Sequence, residues 1–215
     1  MTDTTLALAE IEDLAFKTLL RAGASPQQAA SVARSTRLAE RDGIRSYGLM
    51  YVPIYAEHLR CGKVIGTAIP TIARSRPSAI LVDAAHGFAH AAIDTGWPEF
   101  DAAVREQGLA AMAVSRSYNC GVLGHHAERL AEAGLVGLCF TNAPASMAPV
   151  GGNKPVIGTN PFALAVPDGS GRARLVIDQS ASAIAKSEII LRARKGDPIE
   201  PGWALDADGQ PTEDA

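Results

Sequence analysis

The sequence has no paired cysteines. Its three, Cys61, Cys120 and Cys139, lie far apart and form no CxxC motif. That spacing argues against a disulfide framework and a zinc site, and it fits a reducing compartment such as the cytoplasm. A basic excess is missing as well: 20 Lys and Arg stand against 23 Asp and Glu, a formal charge of −3. Nucleic-acid binders carry a basic patch or stripe, so no nucleic-acid partner is expected. Every long apolar stretch is broken by Gly, Pro or charge, so no membrane span is expected. The opening MTDTTLALAEIEDLAF is acidic and lacks the basic start and apolar core of a secretory signal. What is present is globular: 47% hydrophobic and 20% charged residues over 215 positions. At about 150 residues per domain, this makes one large domain or two small ones.

Standard site motifs are missing too. The dinucleotide fingerprint GxGxxG and the phosphate loop GxxxxGK[ST] do not occur. Neither does the nucleophile elbow GxSxG, nor HExxH. His125 and His126 are adjacent, so on a helix they point about 100° apart and cannot grip one metal from one face. No metal is expected. His86, in DAAHGF, follows a strand and precedes a glycine, a place for either a functional or a turn histidine.

Apolar spacing predicts a helix over 6–21, stopped by Gly23. Ser25-Pro26-Gln27-Gln28 starts a second, with Ser25 as N-cap and Gln28 completing a capping box, running to about Arg41. A third covers about 49–61. From residue 69 the texture changes to β-branched pieces between turns. Strands are expected at 71–73 and 79–83, a helix at 90–106, and buried strands at 109–117 and 135–143 flanking a helix at 122–134. That last alternation reads as a βαβ unit. Residues 144–161 form a Pro- and Gly-rich loop, then come strands at 161–167 and 173–180 and a helix at 181–195. The ending GWALDADGQPTEDA is polar and turn-rich, shows no closing helix or strand, and reads like the middle of something. The division falls near 63–70, giving a helical segment 1–68 and a mixed α/β domain 69–215.

Two loops suit ligands. SYNCGVLG at 117–124 joins a strand to a helix, where backbone amides can hold an anion or where glycine simply makes a tight turn. Cys120 sits there as either a reactive thiol or a small buried residue. In Gly158-Thr159-Asn160-Pro161, Thr and Asn side chains can bond a carboxylate or their own turn.

These segments together resemble the type-2 malate/L-lactate dehydrogenase family, also called sulfolactate dehydrogenase-like. The residues that carry the likeness are AERDGIRSYGLMYVPIYAEHLRCGKV, VDAAHGFAH, SRSYNCGVLGHHAERLAEAG, APVGGNKPVIGTNPFALAVP, LVIDQSASAIAKSEI and GWALDADGQPTEDA. The resemblance implies an α/β, non-Rossmann fold, with a helical N-terminal part followed by a mixed α/β NAD(P)-binding domain. It implies a homodimer using NAD or NADP to move a hydride to or from a small 2-oxo or 2-hydroxy acid, or a cyclic imino acid of the Δ1-piperideine-2-carboxylate type. Because family chains run on well past PTxD, it also implies that the cofactor domain is incomplete at its C-terminus. A catalytically impaired or truncated homologue is the rival expectation.

Site residues carry over unevenly. The family's Ser-His-Gly aligns with Ser46-Tyr47-Gly48, which puts Tyr47 where the proton-donating His stands. A phenol, with a pKa near 10, donates a proton but is a poor base at neutral pH. Tyr51 stands where an Arg pairs with the substrate carboxylate, and offers one hydrogen bond instead of a bidentate ion pair. Asn119 replaces a second His, and with Cys120 and Gly121 falls in the first cofactor loop. Thr159 matches a substrate-contacting Thr, and Lys186 and Ser187 fall near the substrate. Asp178, Gln179 and Ser180 fall where a strand end meets the cofactor. Glu188 aligns with the acid that orients the catalytic His, or is a solvated helix charge.

Overall fold

A computed structural model describes residues 5–215, so the first four residues of the acidic opening lie outside it. The described residues form two compact units, one ending at Val122 and the other starting at Leu123.

The first unit opens with α1 (Leu8–Arg21) and α2 (Pro26–Arg41). Ser25 caps α2 by accepting from the Gln28 backbone N–H at 3.3 Å. The capping box is only half formed, because the Gln28 side chain turns inward. Its Nε2 donates to the Ala68 carbonyl at 2.9 Å, and its Oε1 accepts from the Phe88 N–H at 2.9 Å. Two 3-10 turns, Arg45–Tyr47 and Leu49–Tyr51, then lead into α3 (Val52–Arg60). The third helix therefore starts later than its apolar spacing predicts. Ala15, Leu19, Val32, Ala33 and Val52 are buried between these helices.

Strands β1 (Thr71–Arg76) and β2 (Ala79–Asp83) pair antiparallel, and α4 (Ala89–Gln107) leads to β3 (Ala111–Ser115), parallel to β2. Gly108 ends α4 at φ 76°, a left-handed cap that favours glycine. Ile80 and Val82 are buried with Ala92 and Ala103 of α4. At Gly96 a methyl group would lie 2.6 Å from Val82 Cγ2, so the helix needs a glycine to approach the sheet.

The second unit lays α5 (Leu123–Glu132) on an antiparallel sheet of β4 (Gly137–Phe140), β5 (Phe162–Pro167) and β6 (Ala173–Gln179). The βαβ reading of 109–143 is corrected: β3 and β4 belong to different sheets, and the parallel unit is β2–α4–β3. Nor are β3 and β4 buried strands. Each is an edge strand of its sheet, and Leu109, Leu138 and Phe140 are exposed.

Helix α6 (Lys186–Lys195) follows, and a hairpin of β7 (Ala204–Leu205) and β8 (Pro211–Thr212) closes the described chain. The ending is thus more ordered than its sequence suggests. Asp206 Oδ1 accepts from the Asp208 and Gln210 N–H groups, Ile199 is buried, and Arg192 of α6 stacks on Trp203 with its guanidinium 5.4 Å from the ring. No helix among the described residues is long and apolar enough to cross a membrane.

Candidate active site

In the first unit all four tyrosines of the chain gather in one cluster. Tyr47, Tyr51 and Tyr55 are four residues apart, so the turns leading into α3 bring them to one face. The Tyr47 and Tyr51 rings are 5.4 Å apart, and Tyr51 meets Tyr55 edge-on at 4.7 Å. Tyr55 packs against Phe88 at 5.4 Å and Tyr118 at 6.2 Å. Such pairs each add about 0.5–1.5 kcal/mol beyond simple burial. The loop after β3 delivers Tyr118: its N–H donates to the Gly87 carbonyl at 2.8 Å, and its carbonyl accepts from the Ala89 N–H at 3.1 Å.

Burial, then the neighbouring Tyr51 and Tyr118, pushes the Tyr55 phenol well above its ordinary pKa. Burial, then Tyr51, pushes Tyr118 upward too. Both phenols are therefore neutral at physiological pH. His58 Nδ1 lies 2.5 Å from the Tyr118 hydroxyl, and Lys63 Nζ lies 3.5 Å from His58 Nε2. Burial lowers the His58 pKa below its ordinary 6.5, the Lys63 ammonium lowers it further, and Glu57 opposes them.

The loop at 117–124 is built first as a turn. Asn119 Oδ1 accepts from the Tyr55 hydroxyl at 3.0 Å and from the Gly121 N–H at 2.6 Å. Gly121 has φ 68°, and a methyl group there would lie 2.9 Å from both His90 Nε2 and Ser35 Oγ. Cys120 is half-buried between them, as are Ser46, Tyr47 and Tyr51. His86 serves the turn reading: it has φ 65° and is held through its backbone to Arg116 and Ile65.

In the second unit the GTNP loop is locked to the exit of β4. Asn160 Oδ1 accepts from the Ala143 N–H at 2.9 Å. The Thr159 carbonyl accepts from the Ala181 N–H at 2.8 Å, which sets Thr159 beside the segment that follows β6. Gln179 ends β6 and Ser180 follows it, both exposed, and Ser180 Oγ lies 2.8 Å from Ser182 Oγ. Asp178 Oδ2 accepts from the Gly124 N–H at 2.7 Å and so holds the first turn of α5. Lys186 opens α6 and is exposed, while Glu188 Oε1 accepts from Arg192 Nε at 3.3 Å on the same helix. The Ser187 side chain lies outside the described residues.

At Gly158 a methyl group would lie 2.1 Å from the Ala143 carbonyl oxygen, and backbone cannot yield there as a side chain can. Gly158→Ala is expected to destabilise this unit by about 2 kcal/mol, read as a lower denaturation midpoint with unchanged slope. An unchanged midpoint would show that the loop has room.

The expected residues therefore fall into two groups. Ser46, Tyr47, Tyr51, Asn119, Cys120 and Gly121 belong to the first unit; Thr159, Asp178, Gln179, Ser180, Lys186 and Glu188 belong to the second. Sequence reasoning missed Tyr55, His58 and Tyr118. The first two were signalled by their spacing from Tyr51. Tyr118 was not, because it joins them from 60 residues away.

The donor set fits a nicotinamide dinucleotide. Thr159, Gln179 and Ser180 of the second unit present hydroxyl and amide groups suited to ribose and phosphate, while Asn119 Oδ1 is taken up by its own loop and Asp178 Oδ2 by the first turn of α5.

A family model described as malate/L-lactate dehydrogenase matches residues 6–215. A Delta(1)-pyrroline-2-carboxylate reductase of Ancylobacter novellus is 43% identical over 209 residues, covering 97% of this chain and 61% of its own length. A (2R)-3-sulfolactate dehydrogenase (NADP(+)) of Chromohalobacter salexigens is 44% identical over 209 residues, covering 97% and 62%. The crystal structure of delta1-piperideine-2-carboxylate reductase from Pseudomonas syringae pvar.tomato superposes with a TM-score of 0.94 at 32% identity, covering 99% of this chain and 64% of that one. The chain thus spans about six-tenths of the length of these relatives.

Proposed function

Because this chain belongs to the malate/L-lactate dehydrogenase family, we propose that it serves an NAD(P)H-dependent reductase of cyclic imino acids of the Δ1-pyrroline- or Δ1-piperideine-2-carboxylate type. The observation that carries this reading is the phenolic donor set. Tyr47 and Tyr51 share one cluster with Tyr55 and Tyr118, at positions where the family resemblance implies His and Arg. A phenol, with an ordinary pKa near 10, is a weak acid. An imine nitrogen is a much stronger base than a ketone oxygen, so it asks less of its proton donor. Relatives named as pyrroline-2-carboxylate reductases support the same choice.

A bound reduced nicotinamide would supply the hydride. Tyr47 and Tyr51 would meet the substrate through neutral hydroxyls, orienting its carboxylate and ring nitrogen. In the second unit, Thr159, Lys186 and Ser187 carry over from the family as substrate residues, and Gln179 and Ser180 as dinucleotide residues. A homodimer in the cytoplasm belongs to the same proposal.

A second reading, reduction of 2-oxo acids to malate-, lactate- or sulfolactate-like products, is favoured by the sulfolactate dehydrogenase relative. Nicotinamide oxidation by the purified protein separates the two. The imino acid is expected to show a kcat/KM at least about tenfold above that for any 2-oxo acid, or about 1.4 kcal/mol. The reverse order would favour the second reading. Failure to bind NADH or NADPH at millimolar concentration would sink both.

A further inference from the structure

We propose that Lys63, His58, Tyr118 and Tyr51 form a proton relay from solvent to the substrate, with Tyr51 as the phenol that hands the proton over. The proposal rests on the reductase reading above.

The direction of the chain follows from hydrogen-bond chemistry. An ammonium has donors only, so Lys63 Nζ donates to His58 Nε2, at 3.5 Å. A neutral imidazole carries one N–H, which then sits on Nδ1 and donates to the Tyr118 hydroxyl 2.5 Å away. The Tyr118 proton is left for the Tyr51 phenol, which shares the ring cluster with it through Tyr55. In the relay each member hands its proton to the next, and Tyr51 is the last donor. The solvent end is open, because Lys63 is exposed. Besides these four, the titratable groups acting on His58, Tyr118 and Tyr55 are Glu57, Cys61, Tyr47 and Cys120.

The balance is simple. Tyr51 gives its proton to the imine nitrogen, or to the carbonyl oxygen of a 2-oxo acid. It regains one from Tyr118, which takes the Nδ1 proton of His58. His58 takes a proton at Nε2 from Lys63, water restores the ammonium, and proton exchange with solvent returns the imidazole to its Nδ1–H tautomer before the next turnover. With the hydride from the reduced nicotinamide, the substrate gains two electrons and two hydrogens, and one proton is drawn from solvent. His58 and Tyr118 touch no substrate and act through Tyr51.

The test labels histidine nitrogen and reads the imidazole tautomer by NMR, with His58 assigned from the His58→Gln variant. The relay requires Nδ1–H and bare Nε2 at neutral pH, a titration midpoint below 6.5 that rises in Lys63→Met, and an Nδ1 signal that moves in Tyr118→Phe. Kinetically, Tyr118→Phe should lower kcat at least about tenfold with KM within about twofold, while the protein melts as a folded chain. The opposite tautomer, an Nδ1 signal indifferent to Tyr118→Phe, or an unchanged kcat overturns the relay alone. A wild-type protein that reduces neither imino nor oxo acids overturns the reductase reading, and the relay loses its task with it.

Discussion

Gln28→Leu is expected to lower the unfolding free energy by about 2–5 kcal/mol. The side chain is fully buried. It holds the Ala68 carbonyl and the Phe88 N–H, tying α2 to the loop after α3 and to the start of α4. Leucine fills a similar volume but bonds neither group, and each orphaned backbone group costs about 1–3 kcal/mol. Against the 5–15 kcal/mol typical of whole domains, that is a large share. Denaturant titration measures it, and a loss below about 0.5 kcal/mol would mean that water replaces the amide. Gln28→Glu adds a check on the mechanism. A carboxylate can accept from Phe88 N–H but repels the Ala68 carbonyl, whereas a protonated carboxyl can serve both. The folded-state pKa of that glutamate should therefore rise above its unfolded value. Stability should be highest below the unfolded pKa and fall as pH climbs through the folded one.

Gln28 also shows where sequence reading stops. The helix start at Ser25 was legible because a cap and a Pro at the first helical position act on neighbours. The reach of Gln28 to residues 40 and 60 positions away was not. The same limit explains the sheet. Strand β2 was legible to the residue because its β-branched run is bounded by turn residues. Its parallel partner was misassigned because alternation of strand and helix names elements but not pairs. Strands β7 and β8 have two residues each, too few to show a period. At the candidate site, Tyr47 and Tyr51 were legible through resemblance, whereas Tyr55 and His58 were missed although helical spacing from Tyr51 signals them. Tyr118 came into view only when the fold carried its loop against α3.

Tyr51→Phe is expected to lower kcat by about 100- to 1,000-fold, the usual contribution of a positioned acid. The change removes one oxygen and keeps the ring, so the contacts with Tyr55 at 4.7 Å and Tyr47 at 5.4 Å survive, and melting should shift little. The fall should appear mainly in kcat, because the proton moves in the transition state and a neutral phenol adds little to ground-state binding. Tyr47→Phe is the necessary companion, since Tyr47 occupies the position the family resemblance assigns to the proton donor. If the relay ends at Tyr51, losing the Tyr47 hydroxyl should cost less than about tenfold and act mainly through KM. A larger kcat loss in Tyr47→Phe than in Tyr51→Phe would move the donor to Tyr47. His58 and Tyr118 would then hold the tyrosine cluster together without feeding it protons.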